Sequence, residues 1–307
     1  MTSFGIAAPQ YVQHGTFDGA AVQAYLRRAE ELGFDSAWTR DLTIGDSLDL
    51  GPLELLAYAA ACTTRLRLGC AVLVSSLHSP VHLAKTLSSL DQLSGGRLEV
   101  GLATGGGSRM FAAFGVDPTS FVARFNEGVA LMRALWTEDR VDHDGRFWQL
   151  SDAAMEPKPI QRPGPPIWFG GAHPNALRRA VASADGFFGA GSQTTAQFAE
   201  QVVTVRTMLD EAGRDPATFR IAKRVYVYVD DDAERARRRM SEALQRIYSS
   251  FGRPELLPVS VTGPPAAVVD GVRAVIEAGA QLVLLDAPED EAEQLERLSA
   301  EVVPRLE

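Results

Sequence analysis

Short apolar runs rich in β-branched residues alternate with amphipathic stretches along the whole chain, and this alternation limits the fold more than any other feature. Residues 4–7 read as a strand. Residues 20–32 read as a helix, with Ala21, Tyr25, Leu26 and Ala29 near helical spacing and Gly33 suited to its end. Strands at 34–39, 66–73 and 98–103 follow, separated by helices at 53–62 and from Pro80 to about Leu93, where Ser79 stands as the N-cap and Ser94-Gly95-Gly96 as the stop. Each unit runs to roughly 32 residues, enough for one strand and one crossover helix.

The rhythm breaks between about Thr104 and Pro165. A glycine cluster, a long helix (121–136) and a hairpin at 141–148 with Asp144-Gly145 as its turn lie there, followed by a proline-rich approach. Alternation then resumes, with strands at 167–170, 186–190, 221–229 and 282–285. Helices are expected at 174–183, 196–212, 232–249, 268–278 and 291–306. Eight strands, each followed by a helix and with no composition shift marking a linker, predict an α/β fold of the (β/α)8 TIM-barrel class. It is a single domain over residues 1–307 with an insertion after the fourth strand. A doubly wound open sheet is the competing architecture.

Composition narrows the function classes. In 307 residues there are 30 Lys and Arg against 39 Asp and Glu, a net charge of −9. That balance argues against nucleic-acid or anionic-membrane binding, both of which need clustered positive charge. Cys62 and Cys70 make neither a disulfide framework nor a zinc site. No basic leader opens the sequence, and no run approaches the roughly 18 apolar residues of a membrane span, so a cytoplasmic enzyme is expected.

In a barrel the site lies at the carboxyl ends of the strands. The positions to inspect are therefore Pro9-Gln10, Arg40-Asp41, 74–78, 104–108, 170–173, 189–192 and Asp286. Glycines leave the fourth strand (Gly101, Gly105, Gly106, Gly107) and the fifth (Gly170, Gly171, before Ala172), where backbone can approach a ligand and a helix start can bind an anion. The spacing is not that of a Walker loop, and no acidic residue is placed for a dinucleotide ribose. His78 and His82 are four apart, but Pro80 separates them and no carboxylate completes a ligand set, so no metal is predicted. Asp41 is a candidate site carboxylate or a cap for the next segment. Arg109 is a candidate anion contact or a solvated loop residue. Trp38 and Trp168 fall in strands, where one can face a planar ring, and Trp136 and Trp148 read as core. There is no nucleophile elbow and no glycosidic acid pair.

Several motifs in order resemble the bacterial-luciferase-like oxidoreductases. They are 29–40 (Ala-Glu-Glu-Leu-Gly-Phe-Asp-Ser-Ala-Trp-Thr-Arg), 79–101, Pro157-Lys158-Pro159-Ile160-Gln161, Pro165 to Gly171 and 180–187. The resemblance implies a TIM barrel, a flavin or deazaflavin at its C-terminal face and a homodimer. It places the flavin-like ring against a bulge in the third strand with a non-proline cis peptide, here Ala71-Val72, and the cofactor phosphate at Gly170, Gly171 and Ala172. Thr104 and Gly105 match the ring-side loop, and Gly189 a wall after the sixth strand.

Two departures stand out. The family's Asp-His after the second strand is Asp41-Leu42 here, which leaves Asp41 and His78 as catalytic candidates. The acidic residue that the deazaflavin-dependent sugar-phosphate dehydrogenases carry after the fourth strand is Gly106, and their basic phosphate cluster has no counterpart, which disfavours a sugar-phosphate substrate. The expected activity is hydride transfer between coenzyme F420 and a small organic substrate. The alternatives are an FMN-dependent monooxygenase supplied by a partner flavin reductase, and a catalytically silent flavin-binding paralogue. Phe111, Phe114, Tyr226 and Tyr228 are expected near the substrate.

Overall fold

The computed structural model describes residues 2–12, 16–44, 47–105, 111–248 and 256–306. Gly106, Gly107 and Arg109, singled out above, lie outside the described residues. In chain order the elements begin β1 (Ser3–Ala7), α1 (Gly19–Glu31), β2 (Ser36–Thr39), α2 (Pro52–Cys62), β3 (Arg67–Val74), α3 (Pro80–Ser94) and β4 (Leu98–Ala103). The insertion carries α4 (Phe121–Thr137), β5 (Val141–Asp144) and β6 (Gln149–Ala153). Then come β7 (Ile167–Gly170), α5 (Pro174–Ser183), β8 (Gly186–Gly189), α6 (Thr195–Glu211), β9 (Arg220–Val229) and α7 (Ala233–Tyr248). The chain closes with β10 (Val261–Gly263), α8 (Pro265–Glu277), β11 (Leu282–Asp286) and α9 (Glu291–Arg297).

Parallel pairing runs β1–β2–β3–β4–β7–β8–β9–β11 and returns to β1, a closed eight-stranded TIM barrel ringed by helices. The expected barrel is therefore the fold, and the open sheet is not. Apolar faces of the helices cover the outside of the strands. The inside is filled by Trp38, Trp168 and Phe188 in edge-to-face contact at 5.0–6.2 Å, packed with Ala222, Leu282 and Leu284. Both strand tryptophans are thus core residues, 1–2% exposed, and form the floor beneath the barrel mouth.

Local chemistry sets the ends. α3 stops at Gly95 in the left-handed region, as read, but Ser79 at its start makes no side-chain cap bond. α6 carries a reciprocal capping box between Thr194 and Gln197. Three expectations shift. The hairpin's second strand begins at Gln149, because residues 145–148 form the turn, closed by the Gly145 N–H donating to Trp148 O. β10 was not anticipated; its three residues pair with the upper half of β9. The last helix ends at Arg297 and is followed by a wide turn over Leu298–Val302 and a tight one over Val303–Arg305, where Pro304 has no amide to continue the ladder.

No helix among the described residues is long and apolar enough to cross a membrane.

Candidate active site at the carboxyl end of the barrel

The mouth is organised by an irregularity in β3. Its pairing with β4 steps from Cys70–Val100 to Leu73–Leu102, so one extra residue is bulged out, and the Ala71-Val72 peptide is cis as expected. Ala71 and Val72 are half-buried while the rest of the central strand is covered. Two glycines make room for the bulge. A Cβ on Gly101 would stand 2.1 Å from Cys70 O and 3.0 Å from Val72 Cγ1, and one on Gly170 would stand 3.2 Å from both Val72 methyls. Glycine at these positions answers to close approach rather than to an unusual φ.

Opposite the bulge, the interior positions of β9 and β11 carry charge. Arg224 donates from Nη2 to Ala71 O at 2.6 Å, and its Nη1 lies 3.5 Å from Asp286 Oδ2. Arg224 is 8% and Asp286 1% exposed. Burial works against the Arg224 charge, but Asp286 beside it more than restores it and holds the guanidinium protonated. Arg40, at the end of β2, pairs with Asp49, and the Gln10 side chain ties the Arg40 backbone by accepting from its N–H and donating to its carbonyl. Tyr226 donates its hydroxyl to Tyr248 at 2.7 Å.

Asp41 and His78 come together, with His78 Nε2 3.8 Å from Asp41 Oδ2. Asp41 also accepts from the Val74 N–H at 3.0 Å and the Thr43 hydroxyl at 2.8 Å. Burial pushes this carboxyl up, yet the nearby His78 and the bonds from Val74 and Thr43 outweigh burial and leave its pKa below the ordinary value. Asp41 is therefore an anion that fixes the exit of β3, with His78 beside it. The capping of the next segment, expected as the other role, is partly realised in the bond to Thr43.

Thr104 and Gly105 follow β4 and pack on that same exit: Thr104 O accepts from the Ser76 hydroxyl at 2.8 Å, and a Cβ on Gly105 would meet Val74 Cγ1 at 2.2 Å. Gly170, Gly171 and Ala172 lead into α5. Among the described residues the Ala172 and His173 amides donate to nothing, and both residues are exposed. His173 Nδ1 accepts from the Asn175 N–H as the cap of α5. Gly189 stands apart from this group. It is buried between β8 and α6, where a Cβ would meet the Phe198 ring at 2.7 Å and Lys223 Cδ at 3.1 Å. Its neighbour Lys223 donates to Ala190 O and Gln193 O and so pins the loop after β8. Burial, with Arg224 adding to it, brings the Lys223 pKa down to about 7.

Of the expected aromatic lining, Tyr226 and Tyr228 are both buried in the cluster beneath α7, where Tyr228 bonds Asp290, and Phe111 is buried with Leu77 and Val116. Arg224 was missed. The available signal was Lys223-Arg224 in the midst of the apolar run 221–229, two charges where a covered strand admits none without a partner. Among the described residues no three His, Cys, Asp or Glu gather to hold a metal.

The residues at this end fit a flavin-type group. They offer a small-residue bulge open to the mouth over an aromatic floor, and unengaged amides at a helix start that suit a phosphate. A parallel barrel with a bulged third strand and an anion-ready fifth-strand exit defines a class of cofactor-dependent barrel enzyme. The profile of the luciferase-like monooxygenases matches residues 2–303, and the chain belongs to that family.

The family includes both F420-dependent and flavin-dependent oxidoreductases and monooxygenases. The chain is 26% identical over 307 aligned positions to an F420-dependent glucose-6-phosphate dehydrogenase of Kineococcus radiotolerans, covering 91% of this chain and 90% of that one. Among curated relatives the matched share of the relative runs from 43% to 90% of its length. The crystal structure of monooxygenase RslO1 from Streptomyces bottropensis superposes with a TM-score of 0.86 at 25% identity, over 99% of this chain and 100% of that one. An F420-dependent secondary alcohol dehydrogenase bound to an F420–acetone adduct superposes at 0.85 with 18% identity, over 100% and 99%, a likeness of fold.

Proposed function

We propose that this protein is an oxidoreductase that moves a hydride between coenzyme F420 and a small organic substrate at the carboxyl end of its barrel. The observation that carries the reading is the half-buried Ala71-Val72 bulge, seated in the space left by Gly101 and Gly170. In this reading Ala71 and Val72 hold one face of the ring. Thr104 and Gly105 lie at its side, and Gly170, Gly171 and Ala172 with the start of α5 receive the phosphate. Gly189 serves from behind the wall, by leaving space for Lys223 to fix the loop after β8. When bound, the deazaflavin supplies a two-electron hydride carrier, and the protein supplies orientation and proton handling. His78 carries the proton to or from the substrate, and Asp41 orients the imidazole.

The likeness to the Kineococcus dehydrogenase along nine-tenths of both chains favours F420. The likeness to a monooxygenase at 25% identity favours the second reading, a flavin monooxygenase using reduced FMN from a partner reductase and oxygen. We place the chain in the cytoplasm as a single-domain homodimer. Titration with F420 and, separately, FMN, followed by fluorescence, tests the assignment. Tighter F420 binding that is lost in Gly171→Leu supports it, tighter FMN binding transfers the protein to the monooxygenase reading, and binding of neither overturns both. Turnover by the loaded protein excludes a silent paralogue.

A further inference from the structure

Sheet pairing does not hold the bulge of β3. On one side β2 pairs with β3 only as far as Thr39–Cys70. On the other β4 passes from Cys70–Val100 to Leu73–Leu102, so neither neighbour pairs with Ala71 or Val72. Backbone that leaves the ladder loses the bonds that fix its position, and its polar groups need other partners.

The bond that Ala71 does make comes from across the barrel. In the closed ring β9 stands opposite β3, with β4, β7 and β8 between them on one side and β2, β1 and β11 on the other. Arg224 shares the inward set of alternate positions on β9 with Ala222 of the inner cluster. Its guanidinium spans the lumen and donates from Nη2 to Ala71 O at 2.6 Å, over the aromatic floor on which Ala71 itself packs.

The arm is held along its length. Nη1 lies 3.5 Å from Asp286 Oδ2 on the adjoining β11. A Cβ on Gly191 would stand 3.1 Å from Arg224 Cδ, so the backbone of the loop after β8 rests on the stem, and Lys223 pins that loop. A long side chain clamped at stem and head has already given up its rotamer freedom, and a charged donor makes the stronger kind of hydrogen bond. Arg224 and Asp286 could meet as an ion pair on adjoining strands without either of them reaching β3. The reach to Ala71 is what the pair alone does not explain.

We propose that Arg224 is the positioning residue of the ring seat: through the Ala71 carbonyl it fixes the bulge, and so sets the affinity for the cofactor ring independently of the phosphate exit at β7 and α5. The inference rests on the functional reading above for the seat and adds the residue that holds it in place.

Ligand pairs with and without phosphate test it: FMN with riboflavin, and F420 with the phosphate-free deazaflavin derived from it. Binding is followed by the fluorescence and anisotropy of the ring, and both members of at least one pair bind the wild type. The main variant is Arg224→Met/Asp286→Leu, which removes both buried charges together and strands neither. Both members of the pair should lose about tenfold or more in affinity, the low end for a hydrogen bond to a charged group, and by the same factor. In Gly171→Leu only the phosphorylated member should lose affinity. At saturation the anisotropy of the ring falls in the double variant while the stoichiometry stays that of the wild type; a merely structural lesion lowers the stoichiometry and leaves the anisotropy unchanged. Arg224→Lys, whose single ammonium serves Ala71 O or Asp286 but not both, falls between and serves if the double variant does not fold. Unchanged affinity of the phosphate-free ring in both variants, a loss confined to the phosphorylated member, lowered stoichiometry at unchanged anisotropy, or a wild type that binds only the phosphorylated member would each overturn the proposal. F420 affinity that neither variant alters leaves the functional reading intact and sinks this one. The expected losses for FMN and riboflavin in a protein indifferent to F420 do the reverse, and a wild type that binds no ring sinks both.

Discussion

The two ends of the barrel treat polar groups in opposite ways. At the amino end most are matched, the Arg133 Nε beside Asp185 being the exception among the described residues. Glu99 accepts from Arg67 and from the Trp168 indole N–H, with Arg220 4.0 Å away. Glu30 accepts from the backbone N–H groups of Thr64, Arg65 and Leu66, and although burial opposes it these bonds hold its pKa at about 2. Arg97 donates to the carbonyls of Ser94, Leu66, Ala60 and Thr63 and to the Thr63 hydroxyl. At the carboxyl end Arg40, Ser75 and Asp286 keep unmatched atoms, and a small-residue bulge interrupts regular pairing. The difference teaches that the amino rim spends most of its polar groups on closing the fold, while the carboxyl rim keeps more of them unspent, the division of labour expected of such barrels.

Substitutions can break or sharpen that contrast. The largest effect is expected for Gly101→Ala. The new Cβ meets backbone at Cys70 that cannot give way, so a loss of about 4 kcal/mol in urea unfolding and of cofactor binding should come together. Retained F420 affinity would mean that the bulge does not hold the ring. Glu99→Ala strands Arg67 and the Trp168 N–H. Because Arg67 is one-third exposed and can turn to water, about 3 kcal/mol is expected, with cofactor affinity unchanged. A fall in affinity would erase the distinction between the rims.

His78→Ala should leave stability and cofactor affinity intact and slow turnover of the loaded enzyme about 100-fold, the low end for a lost proton-transfer group. A smaller drop removes His78 from the chemistry. Lys223, which pins the loop after β8, gives a pH signature. Its pKa is lowered on folding from 10.5 to about 7, so between those values the unfolded chain binds more protons and stability rises with pH. Below pH 7 the penalty of charging the buried amine is fully present. Relative to Lys223→Met, the wild type should gain up to about 1.4 kcal/mol per pH unit across that window, checked by unfolding at pH 7, 8.5 and 10. Smallest of all, Thr194→Ala should cost about 1 kcal/mol through its capping box and Ser79→Ala under about 0.3 kcal/mol, since Ser79 makes no cap bond.

Most of the frame was legible because strand runs and helical spacing recur in register. β4 and β7 coincide with their expected ranges, and α5 does too, bounded by Pro174 and Ala184. β10 escaped because three residues carry too little periodicity to register, and the tight end of the chain because Pro304 acts through a missing amide. At the site, Ala71-Val72 was reached through resemblance, whereas Gly101 and Gly170 became intelligible only when Val72 was seen between them. Gly189 illustrates the limit: it sits at a strand's carboxyl end as expected, but alternation along β8 turns it outward onto α6. Arg224 and Asp286 lie on strands separated by 62 positions, and only barrel closure makes them a pair.

Val72 fills a space bounded by two hydrogen atoms, those of Gly101 and Gly170. In genetic terms positions 72 and 170 therefore form a single locus split across the gene. A side chain gained at 170 is a lesion whose suppressor is the loss of both methyls at 72, so Val72→Ala should rescue Gly170→Ala. Position 101 admits no such suppressor, because its nearest neighbour is the Cys70 carbonyl, and backbone cannot be trimmed by a second mutation.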